Sequence, residues 1–251
     1  DSYYHLGDQE KAIRMLSKYV SSTENPLRSD LYILGVCYFN KRNYSNTVNA
    51  LSRTVRQNDE LTQNAYLYLG QSYLKLGDKN NARMAFEAAA TSSFDKQIKE
   101  VAMYNYALLI HETAFTGFGE SVTIFEDFLN DFPNSQYADK VNDYLVEVYL
   151  TTKNYEAALK SINKIKHPST KILEAKQDIL FQLGTQAFAN VKLDDAVSLF
   201  SQAIQLGSYN MEARNDAYFW RGESYYRMGE YENAISDYRT YLNNTRQRNT
   251  D

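Results

Sequence analysis

The strongest constraint in this chain is an interval. A small or short apolar residue returns at Gly35, Gly70, Ala107, Val146, Gly184 and Gly222, in steps of 35, 37, 39, 38 and 38 residues. A fixed period of this size marks a stack of like units, each too small to bury its own apolar face. The clearest copy runs from Tyr66 to Ala89. Tyr66, Leu69, Gly70 and Tyr73 share one face at helical spacing. Gly77-Asp78 reads as a helix stop followed by an N-cap, and Ala82, Phe86 and Ala89 form the apolar face of a second helix. The unit is therefore two amphipathic helices joined by a very short turn.

Gly70 and Ala82 are small where two antiparallel helices must approach closely. Tyr73 and Phe86 are expected to fill the space between this pair and the next, each worth roughly 1.5–3 kcal/mol when buried. The pattern Tyr66-x2-Leu69-Gly70-x2-Tyr73…Ala82-x3-Phe86 resembles the tetratricopeptide repeat, with Tyr66 where that signature has Trp. The resemblance implies an all-α, right-handed superhelical solenoid of antiparallel helix pairs. It spans 1–251 as a single domain, with a partial first repeat (1–27), six complete ones (28–60, 61–95, 96–134, 135–168, 169–209 and 210–244) and a tail at 245–251. Tyr3, Leu6, Gly7, Asp8 and Ala12 align with Tyr73, Leu76, Gly77, Asp78 and Ala82, so the sequence starts inside the first helix of a repeat. A longer parent protein is expected on that ground.

The copies differ in detail. Thr47 replaces the usual Ala, which predicts looser packing. The loop Ala114–Gly119 holds about two extra residues, and its Gly117-x-Gly119 lacks the preceding strand and third glycine of a phosphate loop. From Asn243 onward the sequence is polar and without apolar periodicity, which predicts a frayed end.

Composition narrows function further. With 31 acidic and 27 basic residues the net charge is −4, which gives no electrostatic footprint for nucleic acid. No apolar run approaches the length of a membrane span. Cys37, single and beside Tyr38, reads as a small buried hydrophobe. His5, His111 and His167 fall in three different repeats, with no second ligand at metal spacing. Asp194-Asp195 sits at a helix start, where capping and the helix dipole account for it. No catalytic constellation, metal site or cofactor is expected, and the chain reads as a non-enzyme.

In the family that this chain resembles, first helices line the concave face. Carrying that over places Tyr32 and Phe39, Tyr104 and His111, Phe181 and Phe188, and Phe219, Glu223 and Tyr226 in a partner-binding groove. Tyr104, Phe181, Phe188, Phe219 and Tyr226 are expected to be partly exposed anchors, and Asp143, Glu147, Asp178, Asp216 and Glu223 to form an acidic patch. The Lys/Asn/Arg set that holds a terminal carboxylate in the chaperone-binding members is missing. The stretch Phe125–Ala138 resembles repeats of bacterial outer-membrane-assembly lipoproteins and periplasmic coordinators, and the tyrosine-rich style is Bacteroidetes-like. This implies a periplasmic or outer-membrane-associated scaffold, with the cytoplasm as the other compartment. The expected function is protein–protein interaction with an extended peptide or partner helix. The alternative is a carbohydrate-binding envelope module stacking sugars on exposed rings. Self-association through uncapped ends is also expected, by way of Tyr3, Tyr4 and Leu6.

Overall fold

The computed structural model describes residues 8–113 and 119–248. Tyr3, Tyr4, Leu6, Gly7 and loop residues 114–118 lie outside that range, as do the expectations placed on them. Among the described residues there are thirteen α-helices and no strand. They are α1 (Gln9–Ser22), α2 (Arg28–Asn40), α3 (Tyr44–Leu51), α4 (Glu60–Lys75), α5 (Lys79–Thr91), α6 (Lys96–Thr113), α7 (Glu120–Asp131), α8 (Ala138–Thr151), α9 (Tyr155–Ile162), α10 (Thr170–Ala189), α11 (Leu193–Gln205), α12 (Met211–Met228) and α13 (Tyr231–Arg248).

The local chemistry that starts and stops these helices repeats with the fold. Asp8, Asn43, Asp59, Asp78, Asn154, Ser169 and Asn210 each accept a hydrogen bond from the backbone N–H three residues on. Each such cap satisfies an N–H that the helix cannot, and is worth about 1 kcal/mol. The turn from first to second helix takes one left-handed residue, at Gly77 (φ 80°) and Gly229 (φ 82°). Arg42 (φ 59°) and Val191 (φ 58°) hold the same place in their repeats without being glycine. A β-branched residue there is strained.

The chain divides into two compact units, residues 1–114 and 115–251. In the first, α2, α4 and α6 are first helices in mutual succession, each packed on its neighbour, with α3 and α5 as their second helices. In the second, α8, α10 and α12 play that part, and α11 and α13 are the second helices of the last two pairs.

Within a pair, the small residue seats the large one sixteen positions later. A Cβ added at Gly35, Gly70 or Gly184 would come within 2.4, 2.7 and 2.6 Å of Leu51, Phe86 and Phe200. Phe86 thus packs over Gly70 inside its own pair, rather than filling only the gap to the next pair as the sequence suggested. Repeats are then joined through side chains seven residues before the small one. Gln63 is fully buried; its amide donates to Ala89 O, Ser92 O and Asp95 O and accepts from Asp95 N. Gln177 does the same for Ala203 O, Gly207 O and Asn210 N. Arg28 takes the equivalent position with a guanidinium, bonding Thr54 O and Asp59. These groups satisfy linker backbone that would otherwise be buried unpaired, at about 1–3 kcal/mol for each orphaned group.

Three expectations are corrected. Thr47 is not loosely packed: it is fully buried, and its hydroxyl donates to Asn43 O. Asp194 and Asp195 lie in the first turn of α11, but the N-cap is Lys192 and makes no side-chain cap, so only the dipole explanation holds. The polar run after Leu242 is helical to Arg248, with Thr245 Oγ1 donating to Tyr241 O and accepting from Asn215.

Candidate interaction surface

In the first unit, Tyr32 and Phe39 stand half-buried on α2. Both meet the edge of Tyr68 on α4, at centroid distances of 6.3 and 5.0 Å and interplanar angles of 68° and 70°. Phe39 also meets Tyr44 at 5.7 Å and 69°. Edge-to-face pairs of this kind lock ring orientation and contribute about 0.5–1.5 kcal/mol beyond burial. On α6, Tyr104 is buried and His111 half-buried.

In the second unit, Phe181 is half-buried against Phe200 at 5.9 Å. Phe188 is buried beneath Trp220 (5.1 Å, 68°), with the Arg227 guanidinium 4.2 Å over its ring. Phe219, half-buried, touches Trp220, Tyr238 and Tyr241 at 5.5, 6.0 and 5.3 Å. Glu223 accepts the Tyr238 hydroxyl at 2.6 Å, and exposed Tyr226 leans on Tyr231 at 5.7 Å.

Two anchors therefore lack the partial exposure expected of them, Tyr104 and Phe188. For Phe188 the cause is plain: the next first helix lays Trp220 on it. Sequence reasoning named neither Tyr68 nor Trp220, although each stands two residues before its repeat's glycine and gathers two of the expected rings. That shared offset was the available signal.

The acidic patch is partly spent within the fold. Asp143 pairs with Lys171, and Glu223 is held by Tyr238. Burial, with the neighbouring Glu223 carboxylate, pushes the Tyr238 hydroxyl well above the usual phenol range. Burial likewise raises the Asp178 carboxyl. Arg221 is not available to an anion: it grips Asp237 through two 2.7 Å bonds, reaches Ser201 at 3.0 Å and lies over Tyr218. Among the described residues, no helix is long and apolar enough to cross a membrane.

Residues 181–250 match the family model described as tetratricopeptide repeat, and residues 3–89 match the one described as anaphase-promoting complex, cyclosome, subunit 3. None of the curated proteins matches. Among solved structures, the apo form of RapI is 15% identical over 100% of this chain and 96% of that one, with a TM-score of 0.46. The C-terminal part of a repeat-containing protein from Cytophaga hutchinsonii is 15% identical over 96% and 92%, with a TM-score of 0.43. A repeat protein from Parabacteroides merdae is 17% identical over 86% and 78%, with a TM-score of 0.40.

Proposed function

We propose that this chain, whose residues 181–250 match the tetratricopeptide-repeat model and whose fold commonly serves as a scaffold for protein–protein contacts, holds an extended peptide or partner helix against the half-buried rings of its first helices. The observation that supports this most is the Tyr32–Phe39–Tyr68 cluster. Its rings are set edge to face before any partner arrives, so little side-chain freedom is lost on binding. Large amphipathic rings are also the residues in which interface energy concentrates. Phe181, Phe219, Glu223 and Tyr226 supply the corresponding accessible groups in the second unit, whereas Phe188 is buried in support of Trp220 and Tyr104 is buried on α6. The acids carried on first helices, Glu147 and Glu223 among them, favour a ligand with lysines or arginines near its anchors, and an affinity that falls with salt. The resemblance of Phe125–Ala138 to envelope proteins favours a periplasmic or outer-membrane-associated setting.

A displayed random-peptide library selects the ligand, and calorimetry measures it. Phe39→Ala should weaken binding by about 2 kcal/mol, a hot-spot value, while Phe94→Ala, an exposed ring on the α5–α6 linker, leaves it unchanged. Equal effects of the two substitutions, or selection of no peptide, would overturn the reading. A glycan array tests the carbohydrate alternative in parallel.

A further inference from the structure

Leu34, Leu183 and Arg221 hold one place in three repeats, each directly before its repeat's glycine, and each floors the groove between two consecutive second helices. In the last repeat that groove is filled from within. Arg221 holds Asp237 on α13 through two 2.7 Å bonds and reaches Ser201 on α11 at 3.0 Å. In α10–α11 the places of Arg221 and Asp237 are taken by Leu183 and Leu199, and a cavity of about 360 Å³ lies beside α9. In α2–α3 they are taken by Leu34 and Ala50, and the cavity beside α1 reaches about 490 Å³. The first helix ahead of the smaller cavity, α8, is in place and packed on α10. The opening therefore belongs to the repeat and does not depend on a missing neighbour.

The two open grooves differ in charge. Glu156, Lys192 and Asp195 rim the smaller one. Among the described residues that line the larger one, Arg53 is the one that carries a charge, and Asn46 stands in the place of Asp195. Arg53 is half-buried, and its guanidinium has no hydrogen bond or ion pair with any described residue. We propose that this cavity binds an organic monoanion with an apolar body, its carboxylate on Arg53 and its hydrocarbon over Leu31, Leu34 and Ala50. A guanidinium fork matches a carboxylate through two parallel bonds. The Arg221–Asp237 pair shows that the groove between second helices has room for that unit. Beside Arg53, Ser17 and Tyr38 share a 2.9 Å hydrogen bond, and whichever hydroxyl accepts keeps its own proton for a ligand. Leu31, Leu34 and Ala50 are buried and offer only hydrocarbon below. A volume of about 490 Å³ lies within the range of small-molecule sites. α2 turns Leu34 and Tyr38 to this cavity but Tyr32 and Phe39 to α4, so the site stands whether or not the ring cluster binds a peptide.

Methyl NMR of the 251-residue chain titrated with octanoate tests this, with circular dichroism confirming that each variant is folded. Methyl signals of Leu31 and Leu34 should shift and saturate, while those of Leu183 and Leu199, in the acid-rimmed cavity, stay in place. Arg53→Gln, which installs the residue found at Gln202, should weaken binding about tenfold or more. Ala50→Leu, which installs the residue found at Leu199, should abolish it by filling the cavity. If Ala50→Leu does not fold, Arg53→Gln and 1-octanol, a neutral probe expected to bind at least about tenfold more weakly, carry the test. A leucine-ended peptide, with its terminal carboxyl free or amidated, separates the two sources of this chemistry. Tighter binding of the free-carboxyl peptide than of octanoate assigns the site to a protein C-terminus, and the reverse order assigns it to a free acid. No saturable shift, equal shifts in both cavities, octanol as tight as octanoate, or an Arg53→Gln variant that binds like the parent would overturn the proposal.

Discussion

The last two repeats of the chain are nearly the same sentence written twice, and they end up in different physical states. Both seat a large ring on a glycine, Phe200 on Gly184 and Tyr238 on Gly222. Both place an amide seven residues before that glycine and a ring four residues after it. In α10–α11 the amide is fully bonded and the ring is buried; in α12–α13 the amide keeps an orphan oxygen and the ring is exposed. The difference lies in what comes next along the stack. A repeat's sequence sets which face is sticky, and the neighbour decides whether that face becomes core.

The comparison is sharpest at the ring. Phe188→Ala should cost about 3–5 kcal/mol, the usual loss for emptying a buried aromatic site. Tyr226→Ala, at the same place in the next repeat, should stay within about 0.5 kcal/mol of the parent. Urea denaturation of the two variants reads the difference, and equal losses would break the comparison.

The amides come next. Gln177→Ala orphans Asn210 N, Ala203 O and Gly207 O, and is expected to cost about 2–4 kcal/mol. Asn215→Ala removes one 3.3 Å bond to Thr245 together with an acceptor that is already unsatisfied, so a change below about 1 kcal/mol is expected. Thermal melts of both variants in dilute protein are sufficient to check this.

The turns invert the ranking. Val191 sits at φ 58° where the later repeat has Gly229 at 82°. Leaving the left-handed region unstrained is worth about 1–2 kcal/mol, against about 0.5–1 kcal/mol for the extra freedom of glycine in the unfolded chain. Val191→Gly should therefore stabilise by about 0.5–1 kcal/mol, whereas Gly229→Val should destabilise. A melt in which Val191→Gly loses stability would contradict the strain assigned to that turn.

The smallest effect is a pH dependence. Burial of Asp178 on α10 raises its carboxyl above the usual value. The folded state then holds the proton more tightly than the unfolded state does, so this group opposes folding once it is charged. The penalty is absent below the unfolded pKa of about 3.9. It grows as pH rises toward the folded value and is complete above it. Asp178→Asn should be slightly more stable than the parent at pH 7 and indistinguishable from it near pH 3.

Much of this was legible in the sequence because helix pairs are written in short-range chemistry. Gly77 announces a stop and Asp78 a helix start, and the small residues mark where helices approach closely, although Phe86, expected to fill the gap to the next pair, instead packs over Gly70 in its own. What escaped were properties that depend on the following repeat. Phe188 and Tyr226 hold equivalent positions and were both expected at the surface, yet only Trp220, thirty-two residues beyond Phe188, decides that one is buried. Gln63 and Gln177 look like ordinary polar residues until the linker they bond is in place. Arg28 escaped for the same reason, a guanidinium doing the work of an amide. The helix beyond Leu242 was missed because its residues keep no apolar period, while Thr245 ties it to Asn215 through a hydroxyl.

Amide hydrogen exchange followed by mass spectrometry tests the dependence on a covering neighbour most directly. In dilute protein the amides of α10 and α11 should exchange at least about tenfold more slowly than those of α12 and α13. Equal protection of the two pairs in dilute protein would contradict the account.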